Sequence, residues 1–399
     1  MAQVERTQEV EIERPRESVG PVRWIKENLF NTWYNALLTL VALGFLYVIL
    51  TGVLTWVFGS AEWGVIPANL QLLMIGTYPR AELWRVWTVV YTLAALSGVS
   101  AGIWGGLPLR FALSLGTAGL VLAAMPVTLA TRGWLLGAVA VLAVAVLLGR
   151  GRRRWRGWVL GGWLLSFPWT MIVLRGFGEN TVLPSVLTSQ WGGLLLTLVL
   201  AAVGIAASFP LGVLLALGRR SSLPAVSWIS TLYIEVVRGV PLVTILFMAQ
   251  IMVPIFLPDF RIDKIFRAMI GLTLFSAAYM AENVRGGLQG VPQGQYDAAQ
   301  AVGLNYPLSM LLIILPQALR SVIPSIVGQF ISLFKDTSLV AIIGLLDLLG
   351  IARSVIANPD WLGLQAEVFL FAAVTYFIFS YSMSYASRKL EVALGVGRR

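Results

Sequence analysis

The 399-residue sequence contains neither cysteine nor histidine. Disulfides, thiolate chemistry and zinc sites built on thiolate or imidazole are therefore excluded within the chain. The side chain that most often moves protons near neutral pH is missing as well, which weighs against an enzyme. Charge is also scarce. Asp, Glu, Lys and Arg make up 12% of residues, against roughly 25% in soluble domains. Hydrophobic residues reach 58%, above the roughly 45–50% of such domains. A soluble chain could not hide so many long uncharged runs, because its surface must be covered with polar groups. The charges that remain are biased to a net +10. In a soluble protein this would suggest nucleic acid. Here the basic residues stand at the ends of apolar runs, the placement of the inside-positive bias, so the expected partner is the lipid bilayer and not nucleic acid.

The apolar runs fall at about 34–58, 86–106, 111–130, 134–149, 157–174, 191–217, 229–257, 268–288, 317–346 and 366–386. A helix needs roughly 20 residues to cross the hydrocarbon, so the expected fold class is an all-α integral membrane protein of about ten transmembrane helices. The 134–149 run is short. The 229–257 and 317–346 runs are long and hold Pro241, Pro254 and Pro324, which predicts breaks or a surface helix ahead of the true span. Residues 1–20 alternate acids, Arg and Pro without a cleavable-signal pattern and read as a solvated tail. With the N-terminus cytoplasmic, ten spans put the RGRRRWR segment at 150–156, Arg219, Arg220, the stretch after 288 and Arg388, Lys389, Arg398 and Arg399 on the inside. Glu62, Glu179, Asp259 and Asp360 fall outside, with Arg80, Arg85, Arg132 and Arg261 as exceptions to the bias. Trp56, Trp63, Trp84 and Trp87 suit interfacial anchoring, and Gly192, Gly193, Gly204 and Gly212 suit close helix packing.

Residues 286–316, GGLQGVPQGQYDAAQAVGLNYPLSMLLIILP, are too patterned for a plain linker. A Gly- and Pro-containing turn leads to a short helix around Gln295–Val302. Gly303 can stop that helix, Asn305–Pro307 supports a turn, and a second short helix runs from near Pro307 to Leu315. Two short helices make a compact protrusion, and Ala298, Ala299 and Ala301 would let a partner surface approach closely.

This segment resembles the cytoplasmic coupling motif of bacterial ABC importer permeases: Glu-Ala-Ala, three residues, Gly, nine residues, then Ile-x-Leu-Pro. Asp297, Ala298 and Ala299 occupy the first positions, Gly303 the glycine, and Ile313, Leu315 and Pro316 the end. Asp297 departs from the usual Glu but keeps the charge. Residues 233–242 (YIEVVRGVPL), 277–286 (AAYMAENVRG), 290–295 (GVPQGQ) and 334–339 (FKDTSL) are similar to the polar amino-acid importers in particular. The resemblance covers about 190–390. The extra N-terminal spans and the NLFNT entry at 28–32 resemble the larger permease subunit of general L-amino-acid importers. It implies a cytoplasmic tail (1–30), a five-helix extension (31–185), a permease core (186–390) with its coupling loop at 290–316, and a basic tail (391–399). It also implies a bacterial inner-membrane subunit, both termini cytoplasmic, that forms the path with a second homologous permease. An ABC ATPase dimer would bind its cytoplasmic face and a periplasmic amino-acid-binding protein would deliver substrate. The same architecture importing another small polar solute is the alternative. ATP and Mg2+ would sit on the partner ATPase, since no G-x-x-x-x-G-K-[ST] segment occurs in this chain.

Two E-x-V-R-G units, Glu235–Gly239 and Glu282–Gly286, each set an acid and an Arg three apart on one helical face. Glu235, Arg238, Gly239, Glu282, Arg285 and Gly286 read either as an electrostatic latch supporting the coupling region or as simple anchoring at the membrane surface. Lys335 and Asp336 interrupt an apolar run, so they either line a polar path or pair with groups on other segments.

Overall fold

The computed structural model describes residues 20–395 apart from positions 126, 179, 180, 182, 257, 260 and 261. The expected tail at 1–19 and the charges at Glu179, Arg261, Arg398 and Arg399 lie outside the described residues. Among the described residues the chain is helical, and its one β-type contact is a bridge between Gly193 and Asp347.

The chain divides into two compact units, 1–63 and 64–399. The first holds α1 (Pro21–Leu29) and α2 (Trp33–Thr55), which runs on through a π-helical turn at Trp56–Ser60. Residues 21–29, expected to belong to the tail, are helical; Pro21 sits at the first position, where its missing N–H costs nothing. Thr32 caps α2 by accepting from the Asn35 amide. Helix α2 is apolar all round and holds no charged residue, the composition of a membrane span.

The second unit opens with two short helices, α3 (Val65–Ala68) and α4 (Leu70–Ile75). Four long helices follow: α5 (Leu83–Trp104), α6 (Gly106–Ala124), α7 (Leu129–Gly149) and α8 (Arg156–Arg175). The run at 134–149, short by sequence, is a helix of 21 residues because its first turn recruits the polar stretch from Leu129, capped by Thr128. The third span begins at Gly106, not near 111.

Next come α9 (Gly193–Arg219), α10 (Pro224–Gly239), α11 (Leu242–Phe247) and α12 (Val253–Phe256). The chain turns by 107° between α10 and the α11–α12 segment. Pro241 causes this break, as expected, because it cannot continue the hydrogen-bond ladder. After these lie α13 (Lys264–Gln289), α14 (Gln293–Ala301), α15 (Tyr306–Ser309), α16 (Leu315–Ser321), α17 (Ile323–Asp336), α18 (Leu348–Ile356) and α19 (Gln365–Leu394). Among the described residues nine helices have the length and apolarity to cross a membrane, ten if the bent pair counts as one span.

Helix α13 is the centre of the unit: 61% of its apolar stretch is buried, against 33% for α9. Small residues permit this. A Cβ on Gly212 would stand 2.5 Å from Met280 Cβ, and one on Gly287 2.5 Å from the Ala318 carbonyl.

The alternation of spans assigns each end of the second unit to one of two faces. On one face Tyr78 donates to the Leu174 carbonyl at 2.8 Å, Arg85 to the Pro184 carbonyl at 2.8 Å, and Thr188 to the Asp263 carboxylate. Arg85, an exception to the charge bias, is wholly buried there and paired with Glu82 at 2.7 Å. The opposite face carries the Arg150–Arg156 loop, the end of α9, the 290–305 loop, and the end of α19, where Arg320 donates to the Leu394 carbonyl.

Candidate coupling surface

Pro292 starts α14, and the helix stops at Val302 because Gly303 adopts φ +78°. This is the left-handed region that glycine enters without a Cβ clash. The Gly303 and Leu304 amides then donate to the Gln300 and Ala299 carbonyls at 2.9 and 3.1 Å, satisfying the helix end. Asn305 caps α15 by accepting from the Leu308 amide. A π-helical turn at Met310–Ile314 joins α15 to α16.

The motif residues separate into two sets. Asp297, Ala298, Gly303 and Pro316 are exposed. Ala299 is fully buried, while Ile313 and Leu315 pack against a core of Met280, Ala281, Val284, Leu288 and Ile314. Ala299 therefore holds the protrusion to its own chain and cannot meet a partner surface, contrary to the sequence expectation. Asp297 accepts from the Gln293 amide at 3.2 Å. Val302 and Tyr306 flank Gly303 and expose apolar surface to solvent, 73% and 60%. Apolar exposure beside an unobstructed glycine is what a docking turn presents.

Arg220 and Tyr296 fasten the protrusion to the bundle, and sequence reading missed them. Arg220 donates to the Tyr296 hydroxyl at 3.1 Å and to the Leu288 carbonyl at 3.4 Å, and Tyr296 donates to the same carbonyl at 3.2 Å. Gln317 on α16 donates to Gln295 on α14 at 3.0 Å. The only sequence signal was the Arg219–Arg220 pair, which reads as a topology charge.

Beside this lies a five-charge network, different from the one the spacing predicts. Glu282 does pair with Arg285 of its own unit. Glu235 instead turns to Arg219, at 2.9 Å, and Arg238 reaches across to Glu282 at 3.6 Å. Arg219 also approaches Glu282 at 3.6 Å. Glu282 on α13 thus faces three guanidinium groups from α9, α10 and α13. Among the described residues nothing stands within 4 Å of a Cβ placed on Gly239 or Gly286, so packing among them requires neither glycine.

Lys335 and Asp336 diverge at the end of α17, Lys335 exposed and Asp336 half-buried. Among the described residues Lys335 makes no ion pair with another segment. The same helix carries Ser325, Gln329 and Ser332 at helical spacing, with Gln329 donating to Ser276 and Asn283 donating to the Ser325 carbonyl of α17, both at 3.4 Å.

Residues 208–392 match the family model described as binding-protein-dependent transport system inner membrane component. The inner membrane amino-acid ABC transporter permease protein YhdY of Escherichia coli K12 is 38% identical over 94% of this chain and 93% of its own length. The glutamate/glutamine/aspartate/asparagine transport system permease protein BztC of Rhodobacter capsulatus is 35% identical over 94% of both chains. The probable glutamine ABC transporter permease protein GlnP of Bacillus subtilis is 36% identical over 51% of this chain and 92% of its own.

Proposed function

The chain belongs to the amino-acid ABC transporter permeases of the binding-protein-dependent inner-membrane family, and we propose on that premise that the face carrying Asp297 and Gly303 receives an ATPase. The protein is a multi-pass inner-membrane permease subunit of an ABC amino-acid importer, with a transport role and no catalysis of its own. In the proposed assembly a second, related permease completes the path. Two ATPase copies bind ATP and Mg2+ on the coupling face, and a periplasmic binding protein delivers L-amino acids to the other. An amino-acid cargo is supported by the names of both relatives aligned over 94% of the chain, and a cargo of more than one amino acid by the name of the second.

The observation that carries the coupling role is the turn at Gly303. It is exposed, held in a fixed backbone shape, flanked by solvent-facing Val302 and Tyr306, and tied to α9 and α13 through Arg220 and Tyr296. Closure of the ATPase dimer against such a turn would move the central helix α13 and its neighbours. Glu235, Arg238, Glu282 and Arg285, with Arg219, brace the same end. Gly239 and Gly286 are open on that end and leave room for a neighbour. Lys335, Asp336 and the polar row on α17 border the path, where an unpaired cation in an apolar span has a use.

The test is reconstitution of this permease with its partner permease, ATPase and binding protein in proteoliposomes. A disulfide or crosslink between a Cys at position 302 and the ATPase, together with ATP-dependent amino-acid uptake, is expected. Full uptake with position 302 reactive to impermeant reagent throughout the cycle would refute the docking role. A Cys at position 153 should label only from the cytoplasmic side; the chain has none of its own to interfere.

A further inference from the structure

The four-helix part of the second unit has a feature that transport does not use. Between α5 and α8, at the end where α8 begins, lies an apolar groove of about 420 Å3 walled by Ala95, Leu96, Val99, Trp155, Trp158 and Val159. Arg150, Arg152, Arg153, Arg154 and Arg156 lie within five residues of the wall residue Trp155 in sequence, all exposed. The Arg152 guanidinium lies over the Trp155 ring at 4.4 Å, which keeps one cation at the rim. Trp158 on the wall is 83% exposed.

These five cations have no counter-charge in the bundle. From residue 83 to residue 178 the sequence contains no Asp or Glu, and among the described residues none of the five forms an ion pair. Orientation of the chain in the membrane requires positive charge but requires no groove. A groove walled by apolar side chains and two tryptophans at the end of a span, with Arg152 at its rim and four more unneutralised arginines beside it in sequence, is complementary to one kind of molecule. We infer that it binds an anionic glycerophospholipid of the bilayer, one acyl chain lying against Leu96, Val99 and Trp158 and the phosphate meeting Arg152, Arg153 and Arg154. Arginine suits this role because its planar fork pairs with phosphate in two bonds.

The test uses the full chain co-purified with its partner subunits in mild detergent, then exchanged into phosphatidylcholine nanodiscs containing either phosphatidylglycerol or phosphatidylethanolamine. Lipid retained after re-extraction is read by native mass spectrometry. Wild type should keep phosphatidylglycerol and release phosphatidylethanolamine. The triple variant Arg152→Gln, Arg153→Gln, Arg154→Gln should lower retention about a hundredfold, at roughly fivefold per arginine. Ala95→Trp fills the groove, leaves all five arginines in place, and should also lose the lipid. A photoreactive phosphatidylglycerol supplied to the wild-type complex should mark the 155–160 peptide, a readout independent of how the variants fold. Equal retention of the two lipids, unchanged retention in Ala95→Trp, or capture of a protein chain instead of lipid at Trp158 would each overturn the assignment.

Discussion

Arg220 and Tyr296 are 76 positions apart and share a hydrogen bond of 3.1 Å, with both side chains also reaching the Leu288 carbonyl. Three elements meet in this contact: the end of α9, the end of α13 and the protruding α14. A force applied to α14 has few other polar routes into the bundle. Tyr296→Phe keeps the ring under Arg220 and removes the hydroxyl. The expected loss is about 1 kcal/mol of coupling, roughly a fivefold fall in amino acid imported per ATP hydrolysed. Simultaneous uptake and hydrolysis assays check this. An unchanged ratio would mean that the motion travels through the apolar contacts of Ala299 and Ile314 instead.

The charge network predicts an asymmetry between its two acids. Glu282 faces three arginines and is three-quarters buried, whereas the Glu235 side chain is 55% exposed and, among the described residues, its one ion pair is with Arg219. Glu282→Ala leaves Arg238 and Arg285 without their acid and Arg219 with Glu235 alone, and should destabilise the purified complex by about 1.5–3 kcal/mol. Glu235→Ala should cost less than about 1 kcal/mol, as solvent screens the pair. Thermal unfolding of the two variants side by side measures the difference, and equal losses would remove Glu282 from its central place.

The spans, the break at Pro241 and the turn at Gly303 were legible because each rests on a local signal: apolar length, an imino ring, or a glycine that stops a short helix. The positions of the acids in the network were not. Spacing correctly placed Glu282 with Arg285, but Glu235 chose Arg219 over Arg238, and only the packing of α9 against α10 brings that arginine near. Ala299 and Ala298 are adjacent and chemically identical, yet one anchors α14 and the other faces outward; the helix phase relative to the core decides that. Helix α18 was missed for a related reason. Its nine residues are too short to span and fall between the runs at 317–346 and 366–386, and its apolar face, with Leu348, Ile351, Ala352 and Val355 buried, is defined only by the helices it packs against.

Asp347 caps α18, accepting from the Gly350 and Leu349 amides and from the Tyr376 hydroxyl at 2.9, 3.2 and 3.0 Å. Burial pushes its carboxyl up to about 6, outweighing those hydrogen bonds, which favour the charged form. The folded state therefore holds this proton more tightly than the unfolded chain does. Its stability rises as pH falls from about 6 towards 4 and is lost as pH climbs back through 6. Asp347→Asn keeps an acceptor for the α18 amides and removes the titration. The difference in unfolding free energy between wild type and variant should change by about 3 kcal/mol over that window, at about 1.4 kcal/mol per pH unit. Parallel pH profiles for the two proteins would show that Asp347 is ionised at its ordinary value. Asp347→Ala, lacking the cap, should be the less stable replacement at every pH, by about 1 kcal/mol.

Gly303 separates a backbone requirement from a docking requirement. Its φ of +78° strains any residue with a Cβ, by about 1–2 kcal/mol for alanine. Asparagine tolerates this region better than alanine but is larger. Among the described residues nothing lies within 4 Å of a Cβ at this position, so a steric conflict there would point to a partner surface. If glycine is needed only for the turn, Gly303→Asn should outperform Gly303→Ala in uptake. If a partner surface closes over the turn, the order reverses, and Gly303→Asn and Gly303→Asp should both lose most uptake while the protein reaches the membrane in normal amounts. The second order is expected, since Val302 and Tyr306 expose apolar surface on either side of the glycine. Membrane abundance, ATPase association, binding-protein-stimulated hydrolysis and uptake must be read together in proteoliposomes, because a misfolded subunit also fails to transport. Near-normal uptake in Gly303→Asp would remove the turn from the coupling path, whereas lost uptake with intact assembly places the defect in transmission from the ATPase to α13.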